Sequence, residues 1–289
     1  MENISFDKTG KINLNDIYDN PTPIEYFSTL SKLEYRIPAE GASIFKNLIE
    51  AIREEKGAQE VKIVDLGCSY GVNAAILKHG VSLSELYRHY DSESATPARL
   101  IERDRALFSE PVDPQLDFVG IDRAANAVAY AVQAGVMDTG IATNLEKRDP
   151  TTREAEALAD ADLIISTGCI GYVTDASLLR LLDAAEERQP WMAHFVLRMF
   201  PFDPIEEMVR EHGYVTEKLP GPVPQRRFAS AEEQEHVLDN LNRIGVDPTG
   251  LESLGWYFAE LHLSRPEADA EIMPLEKLLD RNAVPLALA

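Results

Sequence analysis

The sequence predicts an α/β fold in which a mostly parallel sheet of seven strands carries helices on both faces, behind a helical N-terminal cap and with two insertions. Three observations lead there. Short β-branched runs such as Val61–Leu66 and Leu116–Asp122 alternate with helix-like segments, and strands joined by crossover helices make parallel sheets buried on both sides. Apolar residues fill 45% of the 289 positions, enough for one sizeable core. The first of these runs enters a glycine turn that opens into a helix, the local order of a βα unit.

Ile24, Phe27, Leu30 and Leu33 recur at intervals of three, and Ile44, Leu48 and Ile52 at intervals of four. This spacing predicts a helical cap over residues 1–57, divided at Pro38. The core, 58–266, opens with the strand at 61–66 and a helix over 72–79. Further strands are expected at 116–122, 141–145, 161–166, 191–200, 214–219 and 256–264, with helices at 123–134, 175–187 and 204–212 between them. Two stretches break the alternation and read as insertions, about 81–115 and 221–254, the second containing a helix at 230–244. Residues 267–289 read as a polar tail ending in one short helix.

Twenty-eight basic against 49 acidic side chains give a net charge of −21. Such a field repels phosphate backbones and anionic headgroups, so nucleic acid and membrane surfaces are not expected partners, and the acidity leans toward an amine or guanidine ligand. Two cysteines, Cys68 and Cys169, make no disulfide framework and are expected as thiols in a reducing compartment. The sequence opens without an apolar h-region and no run approaches 18 apolar residues, so a cytoplasmic protein is expected. No H-x-x-x-H, C-x-x-C or clustered Asp/His spacing occurs, and no metal is expected.

The most informative stretch is Asp65-Leu-Gly67-Cys-Ser69-Tyr-Gly71, between the first strand and its helix. A dinucleotide site requires G-x-G-x-x-G, which brings backbone amides up to a pyrophosphate; here the spacing is G-x-x-x-G, and Asp65 would repel that anion. The same residues match G-x-S-x-G, the nucleophile elbow of α/β-hydrolases, with Ser69 as nucleophile. Against that reading, the preceding 60 or so residues are helical, with no HGGG-type oxyanion loop and no upstream strands.

Asp65, Gly67 and Gly71 resemble motif I of the class I S-adenosylmethionine-dependent methyltransferases, in which an acid ends the first strand and a glycine loop wraps the methionine moiety. Ser69 stands where the family has a middle glycine. A carboxylate here is favourable toward a cationic ammonium and sulfonium. Phe118-Val-Gly-Ile-Asp122 resembles the family's second motif, whose acid accepts hydrogen bonds from both ribose hydroxyls. About 50 residues separate Gly71 from Asp122, where the compact arrangement has roughly 20, and the first insertion accounts for the difference. The resemblance covers 61–200 and the last strand, and the whole chain is similar to a bacterial small-molecule subgroup.

This resemblance implies a Rossmann-like sheet, S-adenosylmethionine as cofactor and S-adenosylhomocysteine as product. The cofactor residues it implies are Asp65, Gly67, Cys68, Ser69 and Gly71 in the turn, and Asp122 with Arg123 after the second strand. It adds Asn144 and Leu145 near adenine, with Asp149 competing, Ser166, Thr167 and Gly168 in the fourth-strand loop, and Tyr26 from the cap. Arg36 is a candidate fork for a carboxylate. Cys68 and Cys169 are expected near the cofactor as small packing residues.

In-line methyl transfer is catalysed largely by positioning, so no single residue need stand out. Tyr172, after the fourth strand, and Arg198, near the end of the fifth, are the catalytic candidates; Tyr18 and Tyr35 join Tyr26 from the cap. The plain alternatives are tyrosines packed with a hydroxyl on a backbone carbonyl, and an Arg36 surface pair with Glu34 or Glu40. His194, in an apolar strand, is expected to be a satisfied core histidine, and Tyr87, His89 and Tyr90 are expected to pack within their insertion. A cap and insertions above the strand ends suit an enclosed small-molecule substrate and offer surface for a homodimer. A Ser69 hydrolase and a non-catalytic S-adenosylmethionine-binding protein stay open as alternatives.

Overall fold

The computed structural model describes residues 6–57, 59–91 and 96–279. Its strands are β1 Val61–Leu66, β2 Leu116–Asp122, β3 Thr139–Ala142, β4 Leu163–Thr167, β5 Trp191–Leu197, β6 Tyr214–Lys218, β7 Val223–Arg227 and β8 Trp256–Pro266. The helices are α1 Asn15–Tyr18, α2 Ile24–Lys32, α3 Ile37–Lys56, α4 Val72–Leu77, α5 Leu83–Tyr90, α6 Pro97–Leu107, α7 Ala125–Gln133, α8 Thr152–Leu158, α9 Asp175–Ala184, α10 Asp203–Glu211, α11 Ala231–Arg243, α12 Glu267–Ile272 and α13 Leu275–Leu279.

One sheet runs in the order β3-β2-β1-β4-β5-β8-β6, and β7 also pairs with β8. The first five are parallel, whereas β8 runs antiparallel to β5, β6 and β7. The sheet therefore has eight strands where the sequence predicts seven. The additional strand, Val-Pro-Gln-Arg-Arg, lies inside the expected second insertion and carries a register shift between Pro224 and Arg226. Proline and two arginines conceal a strand that pairs with the trailing sheet.

Alternation along the central strands divides the core in two. Ile63, Phe118, Ala193 and Phe195 face a cluster with α2, α3, α4 and α7, whereas Val64, Val119, Met192 and Val196 face the one built by α8, α9 and α10. The cap differs from expectation in one respect: Pro38 sits in the first turn of α3, where its missing N–H costs nothing, and the break falls at Leu33–Arg36, with Glu34 left-handed at φ +50°. The expected third strand also moves. β3 begins at Thr139 and ends at Ala142, so Asn144 and Leu145 lie in the loop after it. Two short helices, α12 and α13, follow β8 where one is predicted. No helix among the described residues is long and apolar enough to cross a membrane.

Candidate active site

The chain leaves β1 through Gly67 (φ +75°), Ser69 (φ +48°) and Gly71 (φ +78°), three left-handed residues in five. At Gly67 a Cβ would lie 2.8 Å from that of Cys169, so the close approach of the β1 and β4 loops requires glycine. Ser69 adopts this conformation with a side chain, and its amide donates to Asp122 Oδ2 at 2.9 Å. The Ala124 amide donates to Asp122 Oδ1 at 3.0 Å. One carboxylate thus ties the first turn to the start of the segment after β2.

A cavity of about 600 Å³ opens over these strand ends, within the roughly 300–1,000 Å³ typical of small-molecule sites. It lies where the sheet order reverses between β1 and β4, the ligand position of an open α/β sheet. Gly67, Ser69, Asp122, Asn144, Thr167 and Gly168 line it from the strand ends, and Tyr18, Tyr26 and Tyr35 line it from the cap. Arg123, Leu145 and Tyr172 also line it. Burial raises the Tyr18, Tyr26 and Tyr35 hydroxyls above the ordinary tyrosine value, so these are neutral donors at physiological pH. The Tyr35 hydroxyl donates a long, 3.5 Å hydrogen bond to the Thr167 carbonyl.

Seven sequence candidates stand outside the wall, among them Asp149, an exposed partner of Arg180 at 2.6 Å. Asp65 lies beneath the turn, 1% exposed, accepting from Asn73 Nδ2 at 3.0 Å through Oδ1, while its Oδ2 has no partner among the described residues. Burial, reinforced by Asp122 and opposed by the Asn73 bond, lifts its pKa to about 7. Cys68 is buried, and burial holds its thiol well above the ordinary value, so it packs as a thiol. Gly71 serves as the N-cap of α4, with Val136 where a Cβ would go. Ser166 is fully buried, its hydroxyl 2.9 Å from His194 Nδ1. The histidine is therefore only half satisfied, against expectation: its buried Nε2 has no partner among the described residues, and burial drives its pKa down to about 3, with His262 adding to the shift.

The two arginines are structural. Arg36 points outward, bonding Glu40 at 2.6 Å and lying over the Trp256 ring. Arg198 stands at the expected strand end, but its guanidinium donates to Glu252 at 2.6 Å and to the Asp247 carbonyl at 2.8 Å. Glu260 lies 3.7 Å away on the same side chain. With these partners Arg198 braces β5 against the segment before β8 and does not reach the cavity.

The remaining wall comes from residues that spacing does not reveal. Residues 6–14 form a strap, closed by a bridge between Phe6 and Ile12 and by Asp7, whose carboxylate accepts from the Thr9 amide and hydroxyl. The Tyr172 hydroxyl donates to Asp7 Oδ2 at 2.5 Å. Glu233 of α11 accepts from the Ile12 amide at 2.8 Å and takes a two-pronged bond from Arg226 at 2.7 and 3.0 Å. The Tyr257 hydroxyl donates to the same carboxylate at 3.0 Å. Lys11, Gln225 and Arg226 line the cavity from this side.

Charge in the wall is balanced, unlike that of the whole chain: Lys8, Lys11, Arg123 and Arg226 stand against Asp7, Asp19, Asp122 and Glu146 among the described residues. No histidine lines the cavity, and the Ser69 hydroxyl has no hydrogen-bond partner among the described residues. A serine-histidine pair is therefore not assembled at the glycine turn. The described residues contain no cluster of three or more potential metal ligands.

No known protein-family profile matches the sequence, and no curated protein does. Among solved structures the chain is similar to a TehB-like S-adenosylmethionine-dependent methyltransferase from Corynebacterium glutamicum, with 13% identity, 84% of this chain and 98% of that one covered, and a TM-score of 0.41. It is similar to the plantazolicin methyltransferase BpumL in complex with S-adenosylhomocysteine at 12% identity, covering 83% and 89%, with a TM-score of 0.40. It is also similar to magnesium protoporphyrin IX methyltransferase from Synechocystis with bound S-adenosylmethionine at 11% identity, covering 84% and 83%, with a TM-score of 0.38. At such identities and scores the function of this chain rests on its own residues.

Proposed function

We propose that the protein is a methyltransferase that uses S-adenosylmethionine and acts on a small molecule enclosed in the cavity. One observation carries this reading: the Asp122 carboxylate lines the cavity at the switch point, already oriented by the Ser69 and Ala124 amides. A pyrophosphate would need such amides for itself, and here they hold a carboxylate. A carboxylate instead suits a pair of vicinal hydroxyls and repels phosphate.

When bound, the cofactor supplies an electrophilic methyl on a cationic sulfur. The chain's residues do the rest. Asp122 accepts from the ribose hydroxyls, and Gly67 and Gly168 let the β1 and β4 loops approach a ligand without side chains in the way. Asp65 lies beneath, and a cation in the cavity draws it toward its charged form. The cap tyrosines and the strap exclude water and hold the acceptor in line, and such positioning is worth up to about 7–11 kcal/mol. The Ser69 hydrolase lacks a base, and a purely binding role is distinguished from catalysis by turnover to S-adenosylhomocysteine.

The test is a thermal-shift comparison with S-adenosylmethionine, S-adenosylhomocysteine and NAD. At 100 times its Kd a native-state ligand adds about 2.7 kcal/mol, a rise of several degrees. The adenosyl compounds raise the midpoint and NAD does not. A shift with NAD alone, or with none of the three, overturns the reading.

A further inference from the structure

Lys11 is 8% exposed, yet its ammonium forms no hydrogen bond or ion pair with the described residues. Its Nζ lies 5.1 Å from the centre of the Tyr172 ring and 5.5 Å from that of Tyr257. Ring faces attract a cation but accept none of its three N–H donors in a directed bond. The carboxylates near it are occupied. Asp7 is used by Thr9, by Tyr172 and by the Lys11 backbone amide, and Glu233 by Arg226, Tyr257 and the Ile12 and Ala229 amides. A buried cation without a directed partner is costly unless something meets it, and the direction of its titration agrees: burial, with Arg226 adding and the charges of Asp7 and Glu233 opposing, brings the Lys11 ammonium down to about 7.

Lys11 shares the cavity with a second unfilled group. Gln225 is buried and lines the wall, and its side-chain oxygen has no partner among the described residues; as an acceptor it takes an N–H or O–H on the ligand's body, and the anion itself falls to Lys11. Leu14, Leu30, Tyr18 and Tyr35 line the same cavity and offer apolar surface to the body of a ligand.

We propose that Lys11 is the specificity-determining residue of an oxyanion subsite, and that the methyl acceptor is a small anionic molecule with an apolar body, of the aromatic carboxylate class. That the anion is the acceptor rests on the methyltransferase reading; that the subsite binds an oxyanion does not. The net charge of −21 gives an amine or guanidine no preference in this wall, because its four carboxylates are matched there by four cations.

The experiment follows the Lys11 side-chain resonance of lysine-labelled full-length protein, assigned with Lys11→Met, during titration with benzoate or with benzylammonium. Benzoate moves the Lys11 signal and raises its titration midpoint, and benzylammonium does neither. By calorimetry Lys11→Met weakens benzoate about tenfold or more, the loss of one charge-assisted bond, and Lys11→Arg retains it. The S-adenosylhomocysteine affinity of Lys11→Met stays within about twofold of the parent. A response to benzylammonium in place of benzoate, or unchanged benzoate affinity in folded Lys11→Met, overturns the subsite. An equal loss of S-adenosylhomocysteine overturns it too, because Lys11 then serves the cofactor carboxylate. If the unsubstituted protein fails to bind S-adenosylhomocysteine, the methyltransferase reading falls, while the lysine resonance still decides the oxyanion site.

Discussion

Asp122→Ala isolates the interaction on which the cofactor assignment stands. The carboxylate accepts two backbone bonds, at 2.9 and 3.0 Å, and presents its remaining lone pairs to the cavity. Hydrogen bonds to a charged group contribute about 1.5–3 kcal/mol, and each 1.4 kcal/mol is tenfold, so the variant should bind S-adenosylhomocysteine roughly 10- to 150-fold more weakly. The substitution also releases the Ser69 amide, so weaker binding alone does not identify the ribose as the partner. Calorimetry is therefore run as a cycle with a 3′-deoxy analogue of the ligand. The parent protein loses affinity for the analogue, and Asp122→Ala, having no carboxylate, hardly distinguishes the two. If both proteins penalise the analogue equally, Asp122 does not hold the ribose and the assignment fails.

Gly67→Ala places a Cβ 2.8 Å from that of Cys169 at a left-handed φ, and should cost roughly 1–3 kcal/mol in chemical denaturation. Glu233→Ala leaves Arg226 buried without its partner and should cost about 3–5 kcal/mol, with faster hydrogen exchange at the Ile12 amide as the accompanying sign. Asp65 has a raised folded-state pKa of about 7, so the stability it contributes is complete below its unfolded value near 3.8 and is lost as pH rises through 7. Asp65→Asn should flatten that part of the stability profile, measured by urea melts between pH 4 and 8. In the unsubstituted protein S-adenosylmethionine should gain on uncharged-sulfur S-adenosylhomocysteine over the same interval, and in Asp65→Asn it should not.

What was legible in the sequence was local. β1 and β2 are mostly apolar, each with one charged residue at its second position and an acid at or next to its end, and the turn between β1 and α4 needs left-handed residues, so composition and spacing point to the same place. Arg198 shows where such reasoning stops: its position at a strand end is right for a site, but Glu252, 54 residues further on, determines where its charge goes. Arg226 is the converse. A charged residue in an unpatterned segment reads as solvent-facing, and only Glu233 across the fold makes it a buried strand residue beside the cavity. The strap has no periodicity at all, and the contact fastening Ile12 spans 221 residues.

That last contact sets an order on synthesis. The strap leaves the ribosome before the sheet does, yet the carboxylate that anchors it belongs to α11, and the Tyr257 ring beside Lys11 comes later still. A nascent chain can form the β1 turn and the Asp122 bridge long before its cavity has a front wall. Chains stalled before Glu233 should therefore hold an open, half-built pocket, and a segment made ahead of the sheet is among the last to find its place.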